Sequence, residues 1–330
     1  LTIGLDQPED YSNLPILHNG LSIRYIRHAL PMVFLLSIPF TLGLFLLRWK
    51  GFFRICGIVV STVSLLFCLN AAPFRSSPFD QYHGDQGMAP YQLLIDYVDA
   101  RGGLTFWNYP ETRSGVRRLG PILVDTPPYP EVLRQTRGYT GFAAIYGDTI
   151  TVTEPGGIWD DVLLEYCAGE RNRPAWGIST ADFHKDGGAG VKLGDFPTVF
   201  LVREKTKEEI LFAMSHGRMY ACRGPHPQRM VLEDFSIYSS GGTRAISGEE
   251  IRLKENPRIH ISLSPKEPSE SPVTVQLIRA GECIQTLSGI LPMDIDLEDD
   301  YFNPGHKVYY RIEARGWGKL VSNPIFVLFG

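Results

Sequence analysis

The chain has 330 residues, a formal net charge of −4 and 21% charged residues. That length suits two domains of ordinary size. The absence of a basic surplus argues against nucleic acid as a partner, and the ordinary charge content argues against long disorder. Five cysteines, Cys56, Cys68, Cys167, Cys222 and Cys283, form no CxxC pair. Neither a disulfide framework nor a zinc ribbon is indicated.

In chain order, residues 1–28 form a polar arm and residues 29–74 a transmembrane helical hairpin. Residues 29–47, ALPMVFLLSIPFTLGLFLL, and 55–74, ICGIVVSTVSLLFCLNAAPF, carry no charge. Each is about as long as the ~20 helical residues that cross a bilayer core. Between them RWKGFFR supplies Arg48, Lys50 and Arg54 with Trp49, a basic, aromatic interfacial turn. Pro31 and Pro39 kink the first helix, which membrane helices tolerate. The competing reading, a pair of soluble core helices, is disfavoured because such helices rarely stay apolar on every face. The dense loop charge favours a cytoplasmic loop with the soluble region outside. The outer flanks carry as many basic residues, Arg24, Arg27 and Arg75, so the side stays open.

Residues 75–229 read as an α/β domain. A linker rich in Pro, Ser and Gly (75–90) precedes a helix over 90–101, stopped by Gly102-Gly103. LTFWNY (104–109) reads as a strand, YPEVLRQT (129–136) as a short helix, YTGFAAIYG (139–147) as a strand and WDDVLLEYCAGE (159–170) as a helix. PAWGIST (174–180) and TVFLV (198–202) continue as strands. TKEEILFAMSHGR (206–218) is a helix with a Thr206/Glu209 capping box and Gly217 at its end. Beyond residue 230 only short alternating runs follow, VLEDFSIYS, PRIHISLS, VTVQLIRAG, KVYYRIEAR and NPIFVLF. These make residues 230–330 a β-sandwich-like module.

Asp182-Phe183-His184 follows a predicted strand at its C-terminal end, where α/β folds place ligands. Asp182 and His184 offer a carboxylate and an imidazole that suit Zn²⁺, Mn²⁺ or Fe. A surface Asp with a capping His is the plainer reading of the same three residues. His83 and Asp85 (QYHGDQG) make a second polar pair, read as solvated linker residues. His216 reads as a partner of its helix C-terminus, and His226 and His260 have no partner in sequence. No Walker, GxSxG or glycine-rich phosphate loop is present.

Several segments occur in the order seen in one family: GGLTFWNYPE (102–111), YTGFAAIYGD (139–148), WDDVLLEYCAGE (159–170), WGISTADFH (176–184), TVFLVREKTKEEILFAMSHGRMYACRG (198–224) and the closing YYRIEARGWGKLVSNPIFV. Together they resemble the polymerase and histidinol phosphatase (PHP) superfamily, over the back half of its barrel and a trailing β module. The resemblance implies a partial or distorted α/β barrel and a metal-dependent phosphoesterase, with Asp182 and His184 as metal ligands. It also marks departures. No HxH occurs in the chain; Tyr109 stands where the family's His-Pro-Glu has its His; Ala143 stands where the family has a ligand Glu. Two ligands hold a divalent ion weakly. The reading that follows is a membrane-tethered PHP-like domain with a degenerate or weakly active site, acting on or binding a phosphoester or an envelope ligand. Its alternatives are an active hydrolase completed by upstream ligands and a non-enzymatic envelope interaction protein. Asp182 and His184 are expected to lie beside Tyr109 and Ala143.

Overall fold

The computed structural model describes residues 1–17, 26–72, 77, 79, 86–112, 115–147, 150–185, 192–224 and 229–330. His83, Asp85, Asp148, His226 and most of the glycine loop after His184 lie outside them. The chain forms two compact units, residues 6–97 and residues 1–5 with 98–330. The coarse expectation of a mixed α/β chain with two apolar helices and large antiparallel sheets is met.

The first strand, β1 (Thr2–Ile3), belongs to the larger unit. Helix α1 (Pro8–Ser12) opens the smaller one, which then holds α2 (Ile26–Leu46) and α3 (Phe52–Ala71). These two are long and apolar enough to cross a membrane; 20 residues rise about 30 Å. Their pairing rests on small residues. A Cβ added at Gly43 would lie 2.5 Å from Ser61 Oγ, and one at Gly57 would lie 2.8 Å from the Gly43 carbonyl. Gly57, Ser61, Ser64 and Ala71 are the buried positions of α3, one stripe at helical spacing. Phe34, Ile55, Leu66 and other large apolar side chains are exposed on the remaining faces. Ser37, Thr41 and Ser61 hydroxyls donate to carbonyls three or four residues back, which satisfies them inside the helix. In the turn between the two helices, Trp49 packs on Phe53 and Arg48 lies over Phe45.

After α4 (Ala89–Asp99) the larger unit resumes with β2 (Leu104–Trp107). The hairpin β3 (Gly115–Leu119) and β4 (Ile122–Thr126) follows, a pair the sequence reading passed over. Then come α5 (Val132–Gln135), β5 (Gly141–Ile145), α6 (Ile158–Cys167) and β6 (Trp176–Ser179). Strands β2, β5 and β6 are parallel, and β1 joins β2 antiparallel, giving the open order β1-β2-β5-β6. The far edge of β6 is satisfied by side chains. The buried Asn323 amide accepts from Gly177 N at 2.7 Å and donates to the Gly177 and Met219 carbonyls. Thr198 Oγ1 accepts from Ser179 N and donates to Ser179 O. A side-chain bridge thus takes the place of a fifth strand.

Next are β7 (Thr198–Phe200), α7 (Lys207–His216) and β8 (Met219–Arg223). Thr206 Oγ1 accepts from Glu209 N and Gly217 closes α7 at φ +71°, both as expected. The remaining strands are β9 (Met230–Tyr238), β10 (Arg244–Ile246), β11 (Glu250–Leu253), β12 (Arg258–Pro265), β13 (Ser271–Arg279), β14 (Glu282–Leu291), β15 (Met293–Glu298), β16 (Lys307–Arg315), β17 (Lys319–Ser322) and β18 (Ile325–Phe329). They form two sheets. One runs β10-β9-β12-β15; the other runs β11-β18-β16-β17-β8-β7, with β13 on β16 and β14 on β13. Their inner faces share one apolar core that includes Phe235, Ile237, Ile259, Ile261, Val275, Leu277, Ile312, Leu320 and Val327. This is the expected β-sandwich. The second sheet crosses the expected boundary at residue 230, because β8 pairs with β17 and β7 with β8. Strands β7 and β8, expected in the α/β domain, therefore belong to a sheet of the sandwich within one compact unit.

Candidate functional site

Parallel strands joined by helices turn their C-terminal ends toward one edge of the sheet. At the end of β2, Tyr109 adopts φ +48°, and beyond the end of β6, Asp182 adopts φ +50°. Asp tolerates this left-handed region through its short polar side chain, whereas Tyr has no such compensation. Such conformations cost on the order of 1–3 kcal/mol each and collect at functional sites.

Tyr109 and Asp182 meet as the strand order predicts. The Tyr109 hydroxyl faces the Thr180 side chain and the Asp182 backbone. Burial pushes its pKa above the usual tyrosine value, and the Asp182 charge adds to this, while the Thr180 and Asp182 hydrogen-bonding contacts oppose it. The Thr180 contact is a weak one, since Thr180 Oγ1 is buried without a hydrogen bond of full geometry. The adjoining Asn108 Oδ1 is likewise buried without one.

Ala143 is not at this edge. It lies in the middle of β5 opposite Ile178, fully buried, and the register slips only beyond it, between Ala143 and Ile145. Tyr146, the residue after β5, stands at the strand end instead, and its ring packs edge-on against Tyr109 with centroids 5.2 Å apart. The Tyr146 hydroxyl accepts from Glu111 N at 2.9 Å. The Glu111 carboxylate accepts from the Thr151 and Val152 amides and from the Thr151 hydroxyl. Glu111 therefore holds a neighbouring loop. Sequence reasoning missed Tyr146, Thr180 and Asn108; their signal is position alone, at the C-terminal ends of the predicted strands.

Asp182 and His184 lie together but do not form a chelate. His184 Nδ1 is 2.8 Å from the Asp182 carbonyl, which can only accept, so Nδ1 carries the proton. The carboxylate stands 3.8 Å from that same nitrogen, and the two side chains are 69% and 78% exposed. The nitrogen nearest the carboxylate is thus unavailable to a metal. Among the described residues no group of three His, Cys, Asp or Glu side chains is arranged to hold an ion. Among the described residues, Asp182 and His184 alone do not make up a resident Zn²⁺, Mn²⁺ or Fe site, which needs more converging ligands with free lone pairs.

The other histidines have local roles. His216 stacks on Phe212, and its Nδ1 lies 3.0 Å from the Phe212 carbonyl, the helix-end role expected of it. His260, unpartnered in sequence, stands on the outer sandwich face with Nδ1 2.9 Å from the Asp296 carboxylate, across one strand pair. No protein-family model matches the chain, and no curated protein matches it.

Proposed function

We propose that this is a membrane-tethered protein whose soluble unit carries a PHP-like strand-end site that has lost its metal and binds a ligand there. A phosphoester is the ligand class the resemblance implies, and an envelope ligand is the alternative. The observation that carries the proposal is the strained pair Tyr109 and Asp182. A tyrosine hydroxyl occupies the place where the family's ligand imidazole is expected, against Thr180 and Asp182, with Tyr146 closing the other side. A phenol, an amide oxygen and a threonine hydroxyl at a strand-end face suit polar recognition. They lack the ligand number that water activation by a metal demands. The two long apolar helices support the tether.

Calorimetry with Mn²⁺ and Zn²⁺ tests this. The wild type is expected to bind either ion weakly. Tyr109→His combined with Tyr146→Glu should tighten binding at least tenfold, a gain of about 1.4 kcal/mol, because an imidazole and a carboxylate then join Asp182 and His184. Tight one-to-one binding by the wild type would overturn the proposal in favour of an active metal-dependent hydrolase.

A further inference from the structure

A second polar cleft lies at the opposite edge of the parallel sheet, where β5 and β6 begin. It is lined by Asp99 at the end of α4, Arg137, Gly138 and Tyr139 before β5, and Arg171 and Arg173 before β6, among others, and encloses roughly 180 Å³. Two loops bring three guanidinium groups to one small volume, beside the Asp99 carboxylate.

Among the described residues the three arginines share two carboxylates. Arg171 is 6% exposed and donates to the Leu133, Arg134 and Thr136 carbonyls, so it is fixed in place. Its ion-pair partner is Glu165 at 2.6 Å, and Arg137 shares that carboxylate at 3.2 Å. Arg173 pairs with Asp99 at 3.0 Å. Among the described residues, three cations therefore face two carboxylates. Arg173 Nε is in addition buried without a hydrogen-bond partner. A buried charged donor left unpaired is costly, and an acceptor brought by a ligand would relieve it. A guanidinium presents a planar fork that matches the oxygens of a tetrahedral oxyanion.

We infer that this cleft is an anion site for a phosphate group, gripped by Arg137 and Arg173 over the fixed charge of Arg171. The phosphate belongs either to a soluble phosphate monoester or to a lipid headgroup; the recognising chemistry is the same. The inference is independent of the strand-end site, since no residue is shared.

The test uses the full chain in phosphatidylcholine nanodiscs. Inorganic phosphate is titrated by calorimetry against potassium chloride of equal ionic strength. Arg173→Ala should weaken binding by about tenfold or more, the scale of one charged hydrogen bond. Arg173→Lys, which keeps charge but loses the fork, should fall between. Asp99→Asn, which removes a competing carboxylate, should tighten binding. In a second arm without free phosphate, nanodiscs with and without phosphatidic acid are treated with phenylglyoxal. Protection of Arg137 and Arg173 only where phosphatidic acid is present identifies a headgroup as the source. Phosphate binding without such protection identifies a soluble ligand. The inference is overturned if the wild type neither binds phosphate nor is protected. It is also overturned if folded Arg173→Ala binds as the wild type does, or if Asp99→Asn weakens binding.

Discussion

Replacing Asp160 by Ala should be among the most destabilising single changes in the larger unit. Arg311 on β16 is fully buried, and Asp160, in the first turn of α6, is 1% exposed. The pair is bidentate, with Nε to Oδ1 at 2.8 Å and Nη2 to Oδ2 at 2.7 Å, and Oδ2 also accepts from Gly156 N at 2.9 Å. Burial alone would lower the Arg311 pKa, and the Asp160 charge and hydrogen bonds carry it above the usual value. Without Asp160 the guanidinium keeps the Thr153 carbonyl and the face of Trp159, while Nη1 already lacks a partner. Stranding a buried charge in this way costs about 3–5 kcal/mol. At an m-value of roughly 2.5 kcal/mol/M that lowers the urea midpoint by about 1–2 M. The assay is urea unfolding of a chain in which residues 6–97 are replaced by a short Gly/Ser linker, followed by tryptophan fluorescence. The linker is feasible because Leu5 and Val98 meet over Gly103, where an added Cβ would lie 2.7 Å from each. Asp160→Leu with Arg311→Met should recover much of the loss, since both charges leave together. A single-variant cost below about 1 kcal/mol, or a double variant as unstable as the summed singles, would refute the reasoning.

Two further outcomes follow from burial and charge. The full chain should remain in the membrane pellet after alkaline carbonate washing and the linker form should not; full release of the intact chain would remove the spanning role of α2 and α3. In alkali, burial pushes the Tyr220 hydroxyl up to about 12 and the Tyr139, Tyr309 and Tyr310 hydroxyls higher still, against about 10 in an unfolded chain. Because the folded values are raised, the stability these groups contribute is full below about pH 10 and is lost as pH rises through the folded values. The buried tyrosines should therefore ionise together with unfolding, and separate titration near pH 10 with the fold intact would contradict this.

Elements built from local pattern were legible in the sequence, as α6, α7 with its caps, and β5 illustrate. Tyr109 and Asp182 could be brought together from topology alone, since strand ends share an edge. Tyr146 could not, because the register slip between Ala143 and Ile145 that precedes it leaves no periodic trace. The boundary at residue 230 looked natural because helices stop there, yet β8 pairs with a strand about a hundred residues further on. Such long-range pairing has no local signature. The arginine cleft was hidden for a related reason, as its charges come from separate loops that look solvated in isolation. Asp182 and His184 show the converse. Their spacing suits chelation, but a local hydrogen bond to a carbonyl claims the nitrogen that would share the ion.

The pairing of Thr2 and Ile3 with Thr105 and Leu104 carries a consequence for biosynthesis. A strand that precedes both apolar helices is zipped to one that follows them. If those helices thread the bilayer, an even number of crossings lies between the two partners, so both must emerge on the same face. Whatever machinery inserts the hairpin must deliver the leading strand to the compartment where the bulk of the chain folds. The β1–β2 ladder can close only after the second crossing is complete, which makes it a built-in check on correct threading.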